Sequence, residues 1–236
     1  VTEILIMAMT HMRSGICTAG FIHDPQSPGR LHWVRPVKEH GTLLIGDMTT
    51  ARGEVVRMGD VVDLALIEPR PAGNHVEDWV TDFRRRRPRI LRHLTEERRT
   101  KLLADYCDPD PADVLLRRSR SLCLIRPDDL WASFALDGYS GKYEARLGFQ
   151  LADLPFPEAE SPRGLAVTDL KWRALGRRWL SDASQIHLSR ADLCHRLAAD
   201  EIYLSLGLSR LYQGRQWTLV IGVHPVPDYA VEIVYP

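Results

Sequence analysis

The chain has 236 residues, of which 44% are hydrophobic and 26% charged, enough to bury a sizeable core as one large or two small domains. Its 31 Lys and Arg balance its 31 Asp and Glu. Zero net charge excludes nucleic-acid binding through bulk charge and leaves local patches as the only electrostatic route to a polyanion.

Four cysteines, Cys17, Cys107, Cys123 and Cys194, are far apart and form no Cys-x-x-Cys pair, which argues against a zinc ribbon or a thioredoxin-type site. Nothing in the sequence calls for a metal or a cofactor. No basic-then-apolar segment opens it, and no apolar run approaches the roughly 20 residues that span a bilayer. A cytoplasmic protein with no membrane partner is expected.

In chain order, residues 3–9 are a compact apolar run typical of a buried strand. Ser14-Gly15 marks a turn, 16–22 a second strand, 24–30 a hairpin loop, and 31–35 a third strand that Pro36 should end, having no N–H to donate. Residues 61–67 add a fourth. Several short strands within about 70 residues suggest a small barrel. Residues 83–106 read instead as a charged, amphipathic helical insert, with Thr95 opening a second helix after a break near Leu94.

Beyond a boundary near 110, strands are expected at 121–126, 131–136 and 142–151, with a hairpin connection at 137–141. Thr168-Asp169 should cap a helix running to Leu180, and Ser189 with Asp192 should open a short amphipathic helix to 200. Strands at 202–208 and 217–223 close the chain. Two phrases echo one another: Leu-His-Trp-Val-Arg-Pro-Val at 31–37 and Leu-Cys-Leu-Ile-Arg-Pro-Asp at 122–128. The echo suggests two related β-modules.

Four stretches carry a family likeness: Gly15–Gly20 after the opening strand, Trp33 to Pro36, Asn74-His75 before Trp79, and 204–210 with Trp217 through Pro225. With them the chain resembles the bacterial dual OB-containing domain proteins, which carry two oligonucleotide/oligosaccharide-binding barrels in tandem. The resemblance implies architecture and no reaction. The expected fold is mostly β with added helices (α+β): two OB-like barrels, residues 1–110 with the basic insert 83–106, and residues 111–236 with inserted helices.

Several constellations could carry function. Trp33 and Arg35 share one strand face, which suits base stacking with phosphate pairing; alternatively Trp33 packs in a barrel and Arg35 meets an internal carboxylate. Arg126 invites the same two readings. Ser205, Gly207 and Ser209 leave one strand face smooth, with Arg210 at its end, so a phosphate or a covering helix at 172–179 could lie there. Residues 84–101 hold Arg84, Arg85, Arg86, Arg87, Arg89, Arg92, Arg98, Arg99 and Lys101 against Glu96 and Glu97: a polyanion site or a solvated face. Arg173, Arg177 and Arg178, interleaved with Trp172 and Trp179, mix charge with stacking surface.

His75, with Glu77 and Asp78 nearby, is a weak acid–base candidate, and His224 before Pro225 is weaker still. No zincin spacing, phosphate-binding loop or nucleophile elbow occurs. The favoured reading is a protein that binds nucleic acid, single-stranded DNA or RNA, or a nucleotide. The alternatives are a protein-interaction module of a multi-component bacterial system, and a nucleotide- or nucleic-acid-processing enzyme using His75.

Overall fold

The structure is a computed structural model that describes residues 2–12, 14–23, 29–181 and 183–235. Most of the hairpin loop expected at 24–30 lies outside the described residues. Residues 3–93 supply β1 (Glu3–Met12), β2 (Gly15–His23), β3 (Leu31–Val37), β4 (Asp60–Asp63), β5 (Leu66–Pro69), β6 (Asp78–Thr81) and β7 (Arg89–His93). They form one sheet in the order β5-β6-β3-β2-β1-β4-β7. Only Leu64 and Ala65 separate β4 from β5, so the sheet curls into a ring through that bent strand. Its seam is the parallel pair β3 and β6.

The second half supplies β8 (Leu122–Ile125), β9 (Asp129–Leu136), β10 (Tyr143–Gln150), β11 (Leu165–Val167), β12 (Gln185–Leu188), β13 (Glu201–Leu208) and β14 (Thr218–Val226). Their order is β12-β9-β10-β11-β14-β13-β8. This ring closes through the short gap between β8 and β9, and its parallel seam is β11 with β14. Each half is thus a five-strand Greek-key barrel with one strand broken in two and one strand appended, the architecture of an OB-like fold. The Arg-Pro echo is not a structural repeat. Arg35-Pro36 lies in the third strand of its barrel, whereas Arg126-Pro127 lies at the break in the first strand of the other.

Pro36 does not end its strand. Pairing of β3 with β2 stops at Val34, while pairing with β6 continues to Val37. The missing N–H therefore falls where β2 no longer offers an acceptor.

The helices are α1 (Glu96–Asp105), α2 (Ala112–Leu115), α3 (Pro157–Glu160), α4 (Leu170–Leu180) and α5 (Arg190–Leu197). Thr95 caps α1, Asp169 caps α4, and Ser189 with Asp192 forms the capping box of α5. The expected helix across 83–94 is corrected. Asp82 Oδ1 accepts from the backbone N–H groups of Arg84 (3.1 Å) and Arg85 (2.8 Å), which makes a turn. Pro88 then blocks helix propagation, and β7 pairs with the open edge of β4. Helix α4 fills the second barrel, with Trp172 fully buried against Phe134.

The barrels meet back to back through β1 and β14. Residues 4–10 of β1 are all buried. Ile4, Ile6 and Met9 fill the first barrel, while Leu5, Met7 and Ala8 face the second. A bulge between Ile6 and Ala8 lets two consecutive residues, Met7 and Ala8, face the partner barrel. β14 carries a matching bulge at Ile221-Gly222. The two bulges touch: a Cβ on Gly222 would stand 2.7 Å from the Met7 carbonyl oxygen. Substituting Gly222→Ala is expected to lower unfolding stability by about 1–3 kcal/mol, because a backbone carbonyl cannot rotate away. A chemical-denaturation midpoint equal to that of the parent would refute the contact.

Candidate functional site

Along the seam the outer faces of the barrels diverge and leave a cleft of about 500 Å³. Ala8, Ala19, Gly207, Leu219 and Ile221 give it an apolar floor. Among the charged residues that line it, Arg35, Lys38, Arg70 and Arg210 face two carboxylates, Glu39 and Asp78. Lys38 reaches Asp47 at 3.0 Å, and Arg70 donates to the Glu39 carbonyl at 2.9 Å.

The back of the cleft is a buried polar network. Arg35, from β3, donates through Nε to Asp78 Oδ1 at 2.6 Å and through Nη2 to Ser121 Oγ at 3.1 Å and to His75 Nδ1. Asp78 Oδ2 accepts from Arg210 Nη2, so one buried carboxylate joins a guanidinium from each barrel. Glu77 accepts from the backbone N–H groups of Ser121 (2.8 Å) and Leu122 (3.0 Å) and from Ser121 Oγ (2.8 Å). The parallel seam explains the convergence. Arg35 sits in register with Asp78, and Arg35 N donates to the Glu77 carbonyl, which places the acid pair beside the guanidinium. Breaking one member of such a buried ionic set leaves the others uncompensated, typically at about 3–5 kcal/mol.

The hairpins before β6 and β14 hold equivalent places in the two barrels and clasp each other. The amides of Asn74 and Gln216 exchange two hydrogen bonds, at 2.8 and 3.0 Å. Gln216 also donates to the Ser209 carbonyl at 2.8 Å. Ser209 and Arg210 therefore enter the cleft on a braced loop.

His75 is 4% exposed. A guanidinium can only donate, so Nδ1 accepts from Arg35 and the ring proton resides on Nε2. Burial, with Arg35 and Arg210 alongside, holds the imidazole at about 4, although Asp78 and the Ser209 carbonyl pull the other way. His75 is thus neutral near pH 7. Burial likewise raises the Cys17 thiol in the cleft wall, so it stands protonated.

The structure brings His75, Arg35, Ser209 and Arg210 together at this cleft. Trp33 is half-buried in the seam below, its ring centroid 4.3 Å from that of Phe21. Arg126 pairs with Glu201 at 3.0 Å and lines a separate hollow of about 270 Å³. Arg173 and Arg177 lie on the Tyr143 ring, at 4.9 and 4.0 Å, and lower the pKa of His11 at the cleft edge after burial has done so. The basic segment lines no part of the cleft. Arg86 and Arg89 hold Asp63, Arg92 holds Glu3, and buried Arg99 pairs with Glu96 inside α1 and ties the helix to the Pro225 carbonyl. Arg84, Arg85 and Arg87 are exposed and make no ion pair among the described residues. On the smooth face of β13, Ser205 is buried on His224 at 2.8 Å and Gly207 lines the cleft, while Trp172 of the expected covering helix lies in the core on the other side, with Leu204 and Leu206.

Sequence reasoning missed Ser121, Gln216, Lys38 and Arg70 as parts of the site. The adjacent acids Glu77-Asp78 between apolar Val76 and Trp79 were the available signal, since paired carboxylates in such a setting need buried donors.

Burial, with Arg99 beside it, also depresses His224, to about 3. Both folded-state values lie below the ordinary 6.5. Their stabilisation is therefore complete above about pH 6.5 and is lost as pH falls toward 4 and 3, because the unfolded chain takes up the protons first. At pH 5.5 the expected loss is roughly 1 kcal/mol per histidine, a few degrees in Tm. The substitution His224→Gln should flatten this slope. Buried Asp169, raised to about 6, opposes this loss in the same window, so the readout is the difference between variant and parent: a His224→Gln variant with the parent's slope would contradict it.

The topology and the sequence point to one family. Residues 2–223 match the family model described as the dual OB-containing domain. No match was found among curated proteins or solved structures. Two Greek-key rings, each with a parallel seam, account for the matched region, and β14 of the second ring ends only three residues beyond it. The chain belongs to the dual OB-containing domain family.

Proposed function

We propose that the chain binds single-stranded nucleic acid, or a nucleotide, in the cleft between the barrels. OB-type barrels commonly bind oligonucleotides or oligosaccharides, a warrant of fold alone. The observation that carries the reading is Arg210. Its side chain is half-exposed at the cleft, and one nitrogen is committed to Asp78. Its remaining donors make no hydrogen bond among the described residues, and a guanidinium offers five in a fork that matches phosphate.

The cleft volume falls in the range of small-ligand sites. A base would rest on the floor of Ala8, Ala19, Leu219 and Ile221, with Arg210, Arg70 and Lys38 toward the phosphate. Arg35 and His75 act as positioning residues that fix Asp78 and hence Arg210. Arg84, Arg85 and Arg87 serve as a remote electrostatic attractor.

A protein partner is the second reading. Leu211, Tyr212 and Trp217 are exposed on one hairpin, and an apolar patch of that kind favours it. An enzyme built on His75 gains little from a ring whose Nδ1 is held by Arg35.

Fluorescence anisotropy with a labelled single strand, titrated at about 50 and 200 mM salt, tests the first reading. Affinity should fall steeply with salt. Arg210→Ala should weaken binding about tenfold and lower the logarithmic salt slope by about one. Absence of binding at the lower salt, or an Arg210→Ala variant that binds like the parent, overturns it.

A further inference from the structure

Contacts between the two barrels ring the cleft. In the second barrel, β11 and β8 lie on either side of the pair β14 and β13, which gives the floor its Leu219 and Gly207. Thr168, just after β11, accepts through its carbonyl from His11 N at 2.8 Å, and Asp169 bridges Thr10. On the opposite flank Ser121, just before β8, is held by Arg35 and Glu77. Along the strands, one end of the floor runs into the seam, where Leu5 and Met7 cluster with Tyr203. Past the other end, Ser209 N donates to the Trp217 carbonyl at 2.8 Å, and Gln216 clasps Asn74. The cleft is therefore walled on four sides and opens at a mouth rimmed by exposed His11, Met12 and Glu39. A polynucleotide chain can enter this space but cannot run through it.

Charge inside the walls is unbalanced. Asp47 neutralises Lys38, whereas Arg35 and Arg210 share the single carboxylate of Asp78. Arg70 is exposed and pairs with no carboxylate among the described residues; it donates to the Glu39 carbonyl. The Glu39 carboxylate itself is 74% exposed and lies 3.8 Å from His40. Two positive charges, one on Arg70 and one from Arg35 with Arg210, are left without a paired acid. A phosphodiester inside a strand carries one negative charge, whereas a phosphomonoester carries roughly −1.5 to −2 at pH 7. The monoester also presents three oxygens to the guanidinium forks.

We propose that the cleft takes a terminal nucleotide, one that ends in a phosphomonoester, and not the interior of a continuous strand. A free mononucleotide and the phosphorylated end of a strand share that chemistry. The base lies on the apolar floor, and Arg70 and Arg210 take the phosphate. The inference rests on the cleft reading and narrows it, and its test separates the two.

Linear strands of about ten nucleotides are titrated at low salt with a 5′-phosphate, with a 3′-phosphate, or with hydroxyls at both ends. A ligated circle of repeats of the same sequence is the fourth probe. One phosphorylated strand should bind about tenfold or more tighter than the hydroxyl-ended strand, and the circle should bind no tighter than the latter. Competition by thymidine monophosphate tells the two sources apart: displacement assigns the free nucleotide, and its failure assigns the strand end. Arg70→Gln, a change at an exposed residue outside any ion pair, should remove most of the preference for phosphate. Equal affinity for all four probes, each weakened by Arg210→Ala, overturns this inference and leaves the cleft reading standing. A circle that matches the better phosphorylated strand, or an Arg70→Gln variant with the full preference, also overturns it. If the parent binds no probe, the cleft reading fails and this one with it.

Discussion

The rest of the structure depends on the contact between two bulged strands. β1 is buried on both faces, and a bulge at Met7-Ala8 lets it serve two cores at once. β14 answers with its own bulge and with Gly222 against the Met7 carbonyl oxygen. Bulges change which way side chains point and increase local twist. Here they let two closed barrels touch at backbone distance in the middle and part toward one end. The cleft is the space that remains.

That arrangement redirects the usual surfaces of an OB-like barrel. The outward face of strands two and three is a common ligand face of the fold. In the first barrel, Ala19 and Phe21 on that face are buried in the seam, and only its far end, with Cys17 and Arg35, opens to the cleft. The hairpins between the fourth and fifth strands, also common ligand loops, clasp each other through Asn74 and Gln216. In the second barrel the corresponding strand face, with Arg146 and Gly148 under Trp131, remains outside the seam.

The buried ionic network sits where the barrels join. Arg35, Glu77, Asp78 and His75 come from the first barrel, and Ser121 and Arg210 from the second. Each removed charge leaves a partner desolvated, so the network favours one relative placement of the barrels over others. The same network holds a half-exposed guanidinium at the cleft, so the charge group that aligns the barrels also shapes the site.

Local pattern made much of this legible from the residues alone. The apolar run of 3–9, the alternation of Tyr143, Ala145, Leu147 and Phe149, and the caps at Thr95, Asp169 and Ser189 are local signals, and each became the expected element. Short strands such as β6, β7, β11 and β12 were not legible, because only a neighbouring strand edge makes a run of three to five residues a strand. Arg35, His75, Ser209 and Arg210 could be singled out by residue type. The sequence by itself determined two small β-modules with capped helices, since alternation and capping act over a few residues. Tertiary structure alone decided that these four residues share one cleft and that the basic segment turns elsewhere to meet Asp63 and Glu3. Those partners stand tens of residues apart in the chain, and only closure of the rings and register at the parallel seams bring them within hydrogen-bond range.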